Sequence, residues 1–452
     1  MKRPRIQFRF LSEYGMLFAL LALCAFFSYA TWTEQHPNGP KAGRALGSEL
    51  AERRGTAIRV LIVARDSEED VAFAEALGAR LEAFGVRVVG TVNGEATDAR
   101  RVLEEAAAAG QGIDVIACNH ATASWRLFDG LGEKFPAFAD TAVVCPRSYY
   151  WPNFLKGDNL LNVANQIVVI AILAIGMTMV IITGGIDLSV GSLVALSAVF
   201  AARLIRDAAG AEDATALAMV LCSLAGIGLC GAMGLFSGLM VYLFAIPPFI
   251  VTLGMMLVAS GAAFILAEGQ SIYEIPASYL WLGRGSIAFG VPNAVLLMAL
   301  LYILAHTVMT HTAFGRHVYA VGGNSEGARL SGVPIGVVLV AVYGVSGVMA
   351  GLGGIVCASQ LKSAAPTYGL MYELYVIAAV VVGGTSLRGG EGRIFGTLIG
   401  AFIIAVIQNG MNLTGVESYT QRIVLGLVIL GAVLLDVLKN RGWSLLKGRA
   451  AL

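Results

Sequence analysis

Hydrophobic and polar positions follow three successive regimes along this chain. It opens on a basic stretch, MKRPRIQFRF, with Lys2, Arg3, Arg5 and Arg9, and passes into an apolar run from Tyr14 to Ala30. That order fits a secretory signal peptide. No Ala-x-Ala-like cleavage site follows, and the run ends in Tyr29-Ala30-Thr31-Trp32, the pattern of an interfacial aromatic anchor; an uncleaved first helix is expected. From Thr33 to about Trp151 the pattern is that of a soluble domain. Ile58–Ala64, Val86–Val92, Ile113–Asn119 and Thr141–Cys145 read as strands, and Glu68–Phe84 and Asp98–Ala109 as helices between them. Strands alternating with helices at this spacing predict a small parallel α/β layer.

Beyond Trp151 the chain stays apolar. Polar and glycine/proline clusters divide it into nine segments, about 161–183, 188–206, 217–243, 249–268, 286–308, 335–360, 371–387, 393–412 and 419–438. Runs of this length match the thickness of a bilayer. The fold class expected is an all-α polytopic membrane protein of about ten transmembrane helices with an inserted small α/β extracytoplasmic domain. Its divisions are 1–32 (N-terminus and first helix), 33–151 (insert), 152–440 (transmembrane domain) and 441–452 (tail).

Composition agrees. The 452 residues are 57% hydrophobic and 13% charged, with a mean hydropathy of +0.74; soluble domains carry about 25% charged residues. Glycine supplies 55 residues, well above the usual share of about 7%. Small residues let helices approach closely where lipid provides no hydrophobic drive, and the pairs Gly234/Gly238, Gly347/Gly351 and Gly396/Gly400 have the required spacing. The net charge of +1 and the lack of a basic patch with interleaved aromatics point away from nucleic acid. The six cysteines are too scattered for a metal site, and no metal or other cofactor is expected on this chain.

Lys/Arg bias sets the orientation. With both termini in the cytoplasm, the tail (Lys439, Arg441, Lys447, Arg449), the loop 309–334 (Arg316, Arg329) and the loop 388–393 (Arg388, Arg393) all lie inside. Arg284 and Lys362, with Arg203, Arg206 and Arg422 at helix ends, lie outside. The insert then faces the exterior, where thiols can oxidise. If strands three and four are neighbours, Cys118 and Cys145 at their ends could form a disulfide.

Four motifs carry candidate chemistry. The stretch Thr183–Ser192, TGGIDLSVGS, interrupts two apolar runs and places Asp187 and Ser189 where a charge is costly without a partner or water. It reads either as a glycine turn with Asp187 capping the next helix or as a polar break lining a translocation path. The connection Phe314–Gly332 contains Ser325–Leu330, a short helix that Asn324 or Ser325 would cap and Gly332 would stop. It suits docking onto another protein, or is a solvated loop. Glu373, among Tyr368, Tyr372 and Tyr375, could contact a sugar; an interfacial aromatic belt predicts the same tyrosines. Gly344-Val345-Ser346-Gly347 matches the Gly-x-Ser-Gly of intramembrane serine proteases, but no histidine follows Ser346 to act as its base. There is no Gly-x-x-x-x-Gly-Lys-Ser/Thr loop, so the chain is not expected to be an enzyme and ATP-driven work needs a partner.

With those residues in view, positions 155–440 resemble the permeases of bacterial ribose, xylose and galactose ABC importers. The matching stretches are Gly176-Met177-Thr178, Thr183–Ser192, Gly322–Gly332 (GGNSEGARLSG), Tyr372–Arg393 (YELYVIAAVVVGGTSLRGGEGR) and Gly396–Gly400. The resemblance implies a permease homodimer in the bacterial inner membrane, a cytoplasmic ABC ATPase subunit and a periplasmic sugar-binding protein. It also implies that Gly323, Asn324, Glu326, Ala328, Arg329, Ser331 and Gly332 contact the ATPase. Two positions depart from such permeases. Tyr375 replaces a usual acidic residue, which leaves the substrate open, and Gly327 replaces a usual alanine, loosening the short helix by about 1 kcal/mol. The insert is foreign to them and looks like one lobe of a periplasmic sugar-binding protein. A secondary transporter, or a receptor sensing through the insert, are the rival readings.

Overall fold

The computed structural model describes residues 5–288 and 290–441, with side chains over 15–288 and 290–434. Lys2 and Arg3 of the basic start, and Lys447 and Arg449 of the orientation reading, lie outside the described residues. The chain divides into two units, Trp32–Pro152 and the segments that flank it.

Helix α1 (Arg5–Ala30) belongs to the flanking unit. The insert runs β1 (Trp32–Gln35), α2 (Gly39–Arg54), β2 (Arg59–Ala64), α3 (Glu68–Ala83), β3 (Arg87–Asn93) and α4 (Ala96–Ala108). It continues through β4 (Val115–Cys118), the short α5 (His120–Ala123) and α6 (Leu131–Lys134), then β5 (Ala142–Val144) and β6 (Tyr149–Pro152). Strands β3-β2-β4-β5, in that order, make one parallel sheet, and β1 pairs antiparallel with β6, Trp32 opposite Pro152. A parallel sheet covered on both faces requires strands apolar throughout, and Val60–Ala64 are all fully buried. Helix α3 starts where Ser67 accepts a hydrogen bond from the Asp70 amide, with Glu68, Glu69 and Asp70 in its first turn facing the positive end of the helix dipole.

The sequence pattern assigns no element to 39–54, yet this stretch forms α2. Gly39, Pro40, Gly43 and Gly47 make it a poor helix by propensity. Tertiary packing overrides that: Leu46 and Leu50 join Phe73 and Leu77 of α3 in one core, and the missing side chain of Gly43 lets α2 rest on the Phe73 carbonyl.

The flanking unit resumes with α7 (Gly157–Ile182), α8 (Val190–Ala208), α9 (Ala216–Leu243), α10 (Pro248–Leu266) and α11 (Leu280–Gly283). A two-stranded turn, β7 (Ser286–Ala288) with β8 (Val291–Pro292), leads into α12 (Asn293–His311), α13 (Ala313–Gly323) and α14 (Ser325–Leu330). The long α15 (Ile335–Leu361), α16 (Tyr372–Val382), α17 (Ile394–Leu413) and α18 (Ser418–Arg441) complete it. The helix expected from 286 therefore begins at 293, because its first residues pair as strands. The 309–334 connection is mostly helical, α13 as well as α14.

Among the described residues, six helices are long and apolar enough to cross a membrane: α7, α9, α10, α12, α15 and α17. Gly15–Ala30, α16 and Ser418–Leu434 are shorter apolar helices, and α8 ends in Arg203, Arg206 and Asp207. Helix α7 is apolar all round and 89% buried in protein, whereas α9, α10 and α12 are only 22–28% buried. An apolar surface of that kind, left uncovered by protein, is matched to lipid. Helices α9 and α15 meet through two of the glycine pairs: Gly234 and Gly238 lie against the backbone of α15 at Tyr343 and Val340, and Gly347 and Gly351 against that of α9 at Cys230 and Ile227. Gly396 and Gly400 seat α17 on α16 in the same way, against the Gly383 and Ala379 carbonyls.

Candidate functional site

The polar break between α7 and α8 is built from its backbone outward. Thr183 ends α7, Gly184 takes a left-handed φ of +85°, and the amides of Gly184 and Gly185 bond back to the Ile181 and Val180 carbonyls at 2.9 and 3.0 Å. This is a Schellman motif, which satisfies carbonyls a helix end would otherwise orphan. The chain then turns at Asp187, only 1% exposed. One carboxylate oxygen accepts hydrogen bonds from the Ser189 amide at 3.0 Å and the Ser189 hydroxyl at 2.6 Å. The other accepts from the Ser346 hydroxyl of α15 at 2.7 Å. Ser189, not Asp187, occupies the cap position of α8; Asp187 is instead a pin between the break and α15. The Gly-x-Ser-Gly of α15 thus has a use: its serine holds Asp187, and Gly347 admits α9.

Two sequence motifs meet beside this pin. Gly191, in the first turn of α8, lies against the Glu373 carboxylate and the Gly369 carbonyl at the start of α16. Tyr372 and Glu373 are half-buried, and Tyr368, Tyr372 and Tyr375 pack their rings against the core. Asp187 and Ser189 are enclosed, whereas Glu373 keeps access to the surface of the chain.

The glycine-rich connection forms a second polar assembly. Helix α13 is capped by Thr312, and α14 by Asn324, whose side-chain oxygen accepts from the Gly327 amide at 2.9 Å. Glu326 and Arg329 pair at 2.6 Å on the exposed face, Ala328 is buried, and the Ser331 hydroxyl donates to the Gly327 carbonyl at 2.9 Å. Gly332, at φ +82°, ends the helix. A side chain at Gly323 would meet open space, while Gly322 lies flush on the Ile182 carbonyl at the end of α7, where a Cβ would collide with it. The same carbonyl accepts from the Gly390 amide at 2.8 Å, and the Tyr319 hydroxyl donates to the Gly392 carbonyl at 2.8 Å. Three motifs (Thr183–Ser192, Gly322–Gly332 and Gly383–Arg393) converge on Ile182.

The sequence reading missed a likeness that could have flagged this meeting. Helix α16 ends in the same Schellman motif as α7: Gly384 has φ +81°, and the Gly384 and Thr385 amides bond to the Val381 and Val380 carbonyls. The text signal is the pair Gly184-Gly185-Ile186-Asp187-Leu188 and Gly383-Gly384-Thr385-Ser386-Leu387. Paired glycine-interrupted segments of this kind mark functional breaks in membrane helices.

In the insert, β4 and β5 are parallel neighbours, Ala117 opposite Val144. Cys118 and Cys145, one residue further on, are free thiols. The Cys118 thiol donates to the Val144 carbonyl at 3.7 Å, and Cys145 Sγ lies 3.7 Å from His120 Nδ1. Burial pushes the Cys118 thiol up to about 12. Several charged groups in this unit are paired: Arg65 donates to Asp70 at 2.6 Å, Asn38 to the same carboxylate at 2.6 Å, and Arg59 makes a two-pronged bond to Asp114 at 2.8 and 3.0 Å.

Apolar helices of spanning length, packed around one helix that breaks at a buried polar turn, describe a polytopic membrane protein. The chain belongs to the family described as branched-chain amino acid transport system / permease component, whose model matches residues 159–433. It is 45% identical over 289 residues to the ribose import permease protein RbsC of Escherichia coli (strain K12), covering 63% of this chain and 87% of that one. It is 41% identical over 316 residues to the ribose import permease protein RbsC of Bacillus subtilis (strain 168), covering 69% and 95%. It is 36% identical over 304 residues to the galactose/methyl galactoside import permease protein MglC of Escherichia coli (strain K12), covering 64% and 89%. No solved structure matches the chain.

Proposed function

We propose that this chain is the permease subunit of an ATP-driven importer that carries a monosaccharide, a ribose-like pentose or a hexose, across the bacterial inner membrane. Similarity to proteins named as ribose, allose and galactose import permeases carries the reading, and favours a sugar over the amino acid of the family description. Two copies form the path. Ten helices span, both termini are cytoplasmic and the insert is periplasmic. A separate ATPase docks on Gly323–Gly332, where the capped α14 presents Glu326 and Arg329 outward. Tyr372 and Glu373, backed by Asp187 and Ser189, line the path, and a periplasmic sugar-binding protein delivers the substrate. ATP-driven closure of the partner biases a bistable bundle without breaking any bond in the sugar. On the periplasmic side Cys118 and Cys145, at the ends of adjacent strands, are the pair an oxidising compartment would join.

The test is reconstitution in liposomes with the ATPase and binding protein, with uptake and ATP hydrolysis measured together. Replacing Asn324–Arg329 by a Gly/Ser run should leave dimer assembly intact and abolish stimulated ATPase activity. Stimulation unchanged in that variant refutes the docking role, and uptake that persists without the ATPase refutes the importer class.

A further inference from the structure

Two buried hydroxyls have no hydrogen-bond partner among the described residues, Tyr343 Oη and Thr385 Oγ1. A buried orphan hydroxyl is a standing cost that a native structure must explain. Both flank the α7–α8 break. The Tyr343 hydroxyl lies against Gly185, and the Asp187 carboxylate is within electrostatic reach of it. Thr385 lies against Gly392, which also touches the Ile182 side chain.

The break itself is held from several segments at once. Gly390 and Gly322 grip the Ile182 carbonyl, the Thr252 hydroxyl of α10 donates to the Ile186 carbonyl at 3.1 Å, and Ser346 pins Asp187. Tyr343 precedes Ser346 by three residues, so the two side chains leave one face of α15 from backbone positions about 4.5 Å apart along its axis. A slide of less than one helical turn would carry Asp187 from the serine to the tyrosine, and packed elements switch by discrete steps of this size. Of the two residues that grip Ile182, Gly322 belongs to α13, whose last residue adjoins the Asn324 cap of α14.

We propose that Thr183–Ser189 is a two-position element that passes Asp187 from Ser346 to Tyr343 during transport, driven through the contact of Gly322 and Gly390 with the Ile182 carbonyl. Gly322 and Tyr343 are then positioning residues for the transport cycle. The proposal rests on the permease reading for its purpose, but its central claim is testable on the purified chain alone.

In detergent-solubilised full-length protein, Ser346→Ala should lose little thermal stability, because Tyr343 takes over Asp187. Tyr343→Phe should equal or exceed wild type, since it removes only the orphan hydroxyl. The double variant should lose clearly more than the two singles summed. Additive effects overturn the exchange, whatever transport shows. In liposomes with the partner subunits, Tyr343→Phe should fold normally yet slow uptake at least tenfold. Uptake within twofold of wild type in Tyr343→Phe also overturns the proposal. If wild-type protein shows no ATP-driven uptake while the double variant is non-additive, the permease reading fails and the switch stands.

Discussion

Strand β2 of the insert and helix α12 of the membrane unit are both almost wholly apolar, and they dispose of that surface in opposite ways. Val60–Ala64 are fully buried, whereas Leu300, Ile303 and Leu304 of α12 are 57–63% exposed. In the insert, cohesion comes from removing apolar area from water. In the membrane unit lipid is as apolar as leucine, so cohesion shifts to close backbone approach, as where Gly234 and Gly347 bring α9 and α15 together. Polar groups differ in parallel. The insert matches carboxylates to arginines, as in Arg59–Asp114, while the bundle holds its buried Asp187 with a backbone amide and serine hydroxyls.

Four substitutions would sharpen or break this contrast. The largest effect is expected from Gly347→Leu, whose side chain would be forced onto the Cys230 carbonyl: no monodisperse permease should survive size-exclusion chromatography. Leu61→Ala in β2 opens a cavity in a packed core and should cost about 2–5 kcal/mol, read as faster proteolysis of the insert with the membrane helices intact. Asp114 comes next. Its hydrogen bonds from the Arg59 side chain and backbone hold it at about 2, against an ordinary 3.8. A depressed folded pKa means a contribution fully present above 3.8 and lost as pH falls towards about 2. Both partners are more than a third exposed, so solvent screening keeps this small, under about 1 kcal/mol; Asp114→Asn should flatten that part of the insert's acid unfolding curve. Least of all, Leu300→Ala should change thermal stability by under about 0.5 kcal/mol. A loss comparable to Leu61→Ala would mean that α12 is covered by protein, as at a subunit interface.

Much of the architecture was legible because a membrane helix must match its solvent along its whole length. Each of the nine segments expected beyond Trp151 contains a helix in the structure, though the one from 286 opens on paired strands, and the glycine pairs that promised close packing do pack. The longest elements missed, α2 and α13, are glycine-containing segments whose helicity comes from neighbours: Phe73 and Leu77 beneath α2, and the core that takes Val318 and Val321 of α13. At the polar break, position and residue type were visible but the partner was not. Ser346 lies 159 residues from Asp187, and periodicity encodes which face a residue occupies, not what waits on the other side. For that reason the sequence offers Asp187 as a cap or a path residue but does not show the bond that ties it to Ser346 of α15.

The pairing of Trp32 with Pro152 has a further consequence. The first and last residues of the insert stand side by side, and in the membrane unit the Asn153 amide donates to the Thr31 carbonyl at 3.0 Å. A domain whose two ends meet can be acquired, exchanged or excised as a cassette without stretching its host. Joining Thr31 to Asn153 through a short turn should leave the membrane helices able to fold, giving a permease without its insert and a scaffold onto which a different domain could be grafted.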